Sequence, residues 1–484
     1  MSSPIDRLPN ELVCKIAFYA SPLINIGPKE FVSLPPWQVG HICRTWRSIV
    51  IADQSLWTSL VYSRMLAVDD EVEHLETLHE RSGGALLDVA ILDLPLWKDD
   101  DIDEARHAHP FDATPADAAF IAHSHRWRSL RVYSNSIYNE DAAIFPNILL
   151  PVRGRVSQLR RIEMSCEHLF SDAFRSPFNA FREAPALREV VLTKGTEERA
   201  PRLNIPLGQL TVYHTCLRVA EVERILRAVR VRIRDLKLEI PDIRSGPPPG
   251  PITFAGEGIH FPRLQRLDLR YQENIAGVLT HIRTPALRTL CVGPELWDPP
   301  LLDFLHLRPP SLHLTTLILS YYHIHTDGPP QSASVQPYID VLRALPPTLK
   351  TLISMAELDE QHDRSAVFSA LTGATPRLTR LALSKSHFDT RVEEEKDENE
   401  AEDGADDADG LGDVVPSFLT MLRSRAAFLC KLWIVHHFDH PASLRATSDI
   451  ARTAMQDPAL AQLEVEIHID VNAEFLVQEL TEPA

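Results

Sequence analysis

The chain has 484 residues, is 44% hydrophobic and 24% charged, and carries a formal net charge of −18, so it is long enough for several domains. That balance argues against a general affinity for phosphate backbones, which needs clustered Lys and Arg, and nucleic acid is not an expected partner. Six scattered cysteines without a C-x-x-C pair read as reduced thiols of a cytoplasmic or nuclear protein, and neither a secretory leader nor a membrane-spanning apolar run is apparent.

In chain order, the first expected element is a helix starting at Pro9, with Glu11 in its first turn where the helix dipole favours a carboxylate. Leu12, Ile16 and Ala20 share one of its faces. A second helix, opened by Pro35-Pro36, repeats apolar residues at Val39, Ile42, Cys43, Trp46, Ile49 and Val50, the spacing of a wide amphipathic stripe. A helical unit of this size rarely stands alone, so the stripe needs something to cover it.

The order Leu8-Pro9, apolar helix, Cys43-x-x-Trp46-Arg47, Leu56-Trp57 resembles an F-box. The resemblance implies an all-α domain over residues 4–62 that docks the Skp adaptor of a cullin-type ubiquitin ligase. Its adaptor contacts would be Leu8, Pro9, Leu12, Ile16, Ile42, Cys43, Trp46 and Trp57. The insertion from Ser21 to Trp37 departs from the family pattern.

Residues 63–125 are expected to hold a connecting helix over Met65–Arg81, stopped by Gly83-Gly84, then a first strand through Leu87, Val89 and Ile91 and a polar loop from Trp97 to Pro115. Beyond that a window with apolar residues at its first, fourth and sixth positions recurs twelve times. The windows begin at Trp127, Leu159, Leu187, Leu207, Ile233 and Leu264, and then at Leu287, Leu314, Leu349, Leu378, Leu429 and Leu460. Only Ser354 breaks the apolar rule. Successive centres lie 32, 28, 20, 26, 31, 23, 27, 35, 29, 51 and 31 residues apart. The period resembles that of leucine-rich repeats. The outlying 51 contains residues 393–413, where twelve carboxylates and one lysine form an acidic insertion expected to be a solvated, disordered loop.

Helical patterns fall between windows: 117–123, 219–229, 336–345, 365–371, 415–425 and 443–455. Alternating strand and helix imply a parallel sheet with helices on its outer side. The expected fold is therefore α+β overall: an N-terminal all-α F-box followed by an irregular α/β leucine-rich-repeat solenoid, a curved parallel sheet with outer helices, over residues 126–470, with a tail at 471–484. The uneven repeats resemble the divergent repeat domains that follow F-boxes in fungal, basidiomycete-like proteins.

In such strands the third and fifth window positions face away from the helices and are candidate ligand contacts. Tyr213, Arg266, Asp268, Arg270, Lys431, Trp433 and His437 are the candidates, with Trp433 expected to stand outward as a binding anchor. His436, His437 and His440 lie close in sequence with Asp439, but strand alternation separates the first two, and no metal site is expected. No phosphate-cradling glycine loop, nucleophile elbow or H-E-x-x-H occurs, so neither catalytic residues nor cofactors are assigned. The resemblance implies a substrate-recognition subunit of a Skp/cullin/F-box ubiquitin ligase that captures an unidentified protein. The alternative is an F-box scaffold that works without cullin.

Overall fold

The computed structural model describes residues 8–20, 23–27, 30–33, 39–62, 71–93, 114–134, 148–166, 179–193, 203–217, 219–239, 252, 254, 256–269, 276–293, 296–306, 313–320, 335–355, 364–373, 377–384, 414–436 and 441–469. It divides into one unit formed by residues 1–233 and 243–246 and another formed by 234–242 and 247–484.

In the first unit, helices Asn10–Tyr19 and Arg44–Ala52 flank a two-stranded antiparallel hairpin, Leu23–Gly27 with Glu30–Ser33. A parallel ladder follows through Ser59–Tyr62, Leu87–Asp93, Trp127–Ser134, Arg161–Cys166, Glu189–Thr193 and Val212–Cys216. Its register aligns Leu60, Val89, Leu130, Ile162, Val190 and Tyr213 in one row, each at most 4% exposed. The ladder thus begins two strands before the first expected window, with Trp57-x-x-Leu60-x-Tyr62 as its first apolar triplet.

The second unit repeats the plan with eight parallel strands: Asp235–Glu239, Arg266–Leu269, Thr289–Val292, Thr316–Leu319, Thr351–Ser354, Arg380–Ser384, Lys431–His436 and Glu464–Ile469. Leu236, Leu267, Leu290, Leu317, Leu352, Leu381 and Leu432 stand in register, each at most 1% exposed. Burying one such side chain is worth about 2 kcal/mol, and each row is complete only when its neighbours are present.

Helices at Val219–Val229, Gln336–Arg343, Arg364–Gly373, Val414–Arg425 and Pro441–Gln456 fall where the apolar periodicity puts them. Helix Pro115–Ala122 starts on a capping box, the Thr114 hydroxyl accepting from Asp117 N while the Asp117 carboxylate accepts from Thr114 N. The same carboxylate takes the Tyr62 hydroxyl at 2.6 Å and so ties the first strand to this helix.

Two windows sit elsewhere than expected. Val190 pairs with Tyr213, so the triplet is Leu210-x-x-Tyr213-x-Thr215, and the expected start, Leu207, belongs to the 3-10 turn Leu207–Gln209. Leu432 pairs with Val465, so Leu460 likewise belongs to the turn before its strand. The exception at Ser354 is real in register but satisfied, since its buried hydroxyl lies 2.5 Å from that of Tyr338. Among the described residues no helix is long and apolar enough to cross a membrane.

Candidate interaction surfaces

Pro9 takes extended backbone angles as the N-cap, so the first helix starts one residue later than the sequence suggests, at Asn10. Val13 and Ala17 face inward at 1% and 0% exposure. Leu12 and Ile16, at 45% and 40%, lie on the outer side together with Tyr19 at 83%. Positions 12, 16 and 19 are spaced i, i+4 and i+7, which puts one apolar stripe in solvent.

The second helix does not begin behind Pro35-Pro36. A 3-10 turn over Val39–His41 ends, Cys43 becomes extended, and its Sγ accepts from Trp46 N at 3.4 Å to start the helix at Arg44. The apolar stripe is therefore split at Cys43: Trp46 and Val50 are buried, whereas Ile42 is 55% exposed. Trp57 is buried too, donating its indole N–H to Val50 O at 2.8 Å beneath the Arg81 guanidinium. Trp46 and Trp57 thus hold the helical unit together and do not present themselves to a partner. Of the expected adaptor contacts, Leu12, Ile16, Pro9 and Ile42 are exposed, and Leu8 and Cys43 are half-buried.

The sequence missed Phe18, Tyr19 and Ile51, which are also exposed. Six of the ten exposed large apolar side chains among the described residues fall between positions 12 and 51.

The non-helical face of the repeat sheet differs more from expectation. In the second unit the fifth window positions Cys291, Ile318, Ile353, Ala382 and Trp433 form a buried apolar row with Met355 and Val435. Trp433 is 4% exposed, inside this row, so it is core and not an outward anchor. Asp268 is fully buried, in register between Lys237 and Cys291. Tyr213 is a core residue of the other unit, and burial pushes its hydroxyl up to about 12.

The charged candidates lie in cross-strand pairs. Arg266 Nε stands 4.0 Å from Asp235, and Lys431 Nζ lies 3.0 Å from Glu464 and 3.5 Å from Glu466. The Glu464 hydrogen bond raises the Lys431 pKa, as a paired ammonium requires. The first unit has its own set, with Arg161 2.9 Å from Glu163 on the same strand and 3.5 Å from Glu189 on the next. Arg270, His437, His440 and Asp439 fall outside the described residues, as do the acidic run 393–413 and the tail 471–484.

No family model matches the chain, and no curated protein does. Among solved structures, the leucine-rich repeat-containing protein LegL7 from Legionella pneumophila is similar at 13% identity and a TM-score of 0.35, over 83% of this chain and 97% of that one.

Proposed function

We propose that this chain is the substrate-recognition subunit of a Skp/cullin/F-box ubiquitin ligase, its N-terminal helices docking the Skp adaptor and its repeat units capturing a protein. The exposed stripe of Leu12, Ile16 and Tyr19 carries this reading, because it stays in solvent while Val13 and Ala17 bury a different side of the helix whose sequence resembles the start of an F-box. The chain would contribute position and no reacting group. Holding a lysine near an activated carbonyl is a sufficient source of rate.

Co-purification with a recombinant Skp adaptor tests the docking. The wild type should retain the adaptor, and the Leu12→Asp/Ile16→Asp variant should lose it while melting at the wild-type temperature, since both side chains are already in solvent. Failure of the wild type to bind, or equal binding by the variant, would sink the reading. Adding cullin to the purified pair then separates a ligase subunit from a cullin-independent scaffold.

A further inference from the structure

In a chain of net charge −18, one edge of the first unit has the opposite sign. Residues 150–160, 179–188 and 205–211 are the turns that enter successive strands of this unit, and 230–232 follow helix Val219–Val229; together the four segments contain seven arginines and a single carboxylate, Glu183. Arg153, Arg155, Arg160 and Arg182 are exposed and make no ion pair among the described residues. Arg230 and Arg232 are also exposed, beyond helix Val219–Val229, whose Arg224 and Arg227 are paired with Glu221 and Glu223.

Hydrogen bonds fix the first three of these segments side by side, and the fourth continues helix Val219–Val229, which packs on the Leu207–Gln209 turn. Arg188 N donates to Arg160 O at 2.8 Å, and Thr211 N to Arg188 O at 2.8 Å. Gln209 Nε2 reaches Ala184 O at 2.7 Å, and Asn204 Nδ2 reaches Asn179 Oδ1 at 2.8 Å. Successive rungs lie about 4.8 Å apart, so the arginines of adjacent turns can engage one extended chain. The same edge carries two exposed aliphatic side chains, Leu150 at 43% and Val231 at 57%.

We infer that this edge binds an extended acidic peptide segment bearing apolar side chains, with the guanidinium groups holding its carboxylates and Leu150 and Val231 taking its apolar residues. Guanidinium forks suit carboxylates, and an exposed apolar side chain within a charged rim suits a protein partner. A single-stranded nucleic acid fits less well, because base stacking needs exposed aromatic rings. The one aromatic residue of these turns, Phe181, is fully buried. The inference rests on the proposed capture of a protein by the repeat units, and names the chemistry of what is captured.

Fluorescence anisotropy of the purified full chain with a labelled Glu/Asp peptide carrying leucines tests it without any adaptor, so failure here leaves adaptor docking to its own assay. Binding is expected to weaken as salt rises. The Arg153→Glu/Arg160→Glu/Arg182→Glu variant should lose at least about tenfold in affinity, as expected when a focused field is reversed. Leu150→Ser/Val231→Ser should weaken the leucine-bearing peptide but not an all-acidic one. Absence of binding at low salt, equal binding by the charge-reversed chain, or tighter binding of a single-stranded oligonucleotide that ignores Leu150→Ser/Val231→Ser would each overturn the inference. All five positions are exposed, so an unchanged melting temperature confirms that the variants report on binding.

Discussion

Trp433 donates its indole N–H to the Glu466 carboxylate at 2.6 Å, across neighbouring strands of the second unit, while its ring lies buried in the apolar row of Cys291, Ile318, Ile353 and Ala382. Lys431 completes the group, its Nζ 5.4 Å from the ring centroid and 3.5 Å from the same carboxylate. Trp433→Ala removes a large buried ring and should cost about 3–5 kcal/mol in urea unfolding. Trp433→Phe keeps most of the packing and loses the donor, for about 1 kcal/mol. Equal losses from the two variants would show that the carboxylate, not the ring volume, matters most.

The Tyr338–Ser354 pair makes a sharper test because both hydroxyls are buried and each answers the other. Burial pushes the Tyr338 hydroxyl well above its ordinary pKa, so it stays neutral. Tyr338→Phe strands the serine and should cost about 1–3 kcal/mol. Removing both hydroxyls, in Tyr338→Phe/Ser354→Ala, should recover part of that loss. A double-mutant cycle measured by chemical denaturation gives the coupling, and strictly additive losses would mean that the two groups do not interact.

Acid should loosen the first unit at His79. Its ring is buried, neither nitrogen has a hydrogen-bond partner among the described residues, and it stacks on His123 with centroids 3.7 Å apart. Burial first, then His123, Arg126 and His125, push its pKa from 6.5 down to about 3. The folded chain therefore refuses a proton that the unfolded chain accepts. The stability is fully present above about pH 6.5 and is lost toward pH 3, by up to about 1.4 kcal/mol per pH unit. His79→Phe preserves the stack without a titrating group. Unfolding followed from pH 7 to pH 5 should fall less steeply for this variant than for the wild type; parallel slopes would remove His79 as the cause.

The leucine ladder was legible because the same short apolar window recurs along the chain at the spacing of a strand and its return, which is the signature of a repeat array. Ten of the twelve expected windows stand in register, and the two that do not, at Leu207 and Leu460, were decoyed by leucines in the turns before their strands. Burial of the opposite face was also written in the sequence, as the runs Leu290-Cys291-Val292, Leu317-Ile318-Leu319 and Leu432-Trp433-Ile434. Strands buried on both faces read as continuous apolar stretches, and the assumption of a solvated inner face hid that signal. The N-terminal site was less legible. Helical periodicity says which residues share a stripe, not which stripe is buried, so Trp46 and Trp57 read as contacts when their size makes them core. Cys43 ends the apparent periodicity by a local cap, a competition that spacing alone does not show.

Arg126 brings the packing and the acid response together. Its guanidinium closes the C-terminal end of helix Glu71–Ser82, donating to Ser82 Oγ at 2.7 Å and to Ala85 O at 2.9 Å and 2.8 Å through two nitrogens. A lysine ammonium cannot match that fork. Arg126→Lys should therefore cost about 1–3 kcal/mol at neutral pH, from acceptors left without donors. Arg126→Gln removes the charge as well, and with it one of the causes that hold the His79 pKa down. The glutamine variant should be less stable than wild type at pH 7 yet lose less between pH 5 and pH 3, where the folded-state pKa of His79 sets the slope, whereas the lysine variant should keep the wild-type slope. Identical pH slopes for lysine and glutamine would show that Arg126 acts on this corner only as a cap.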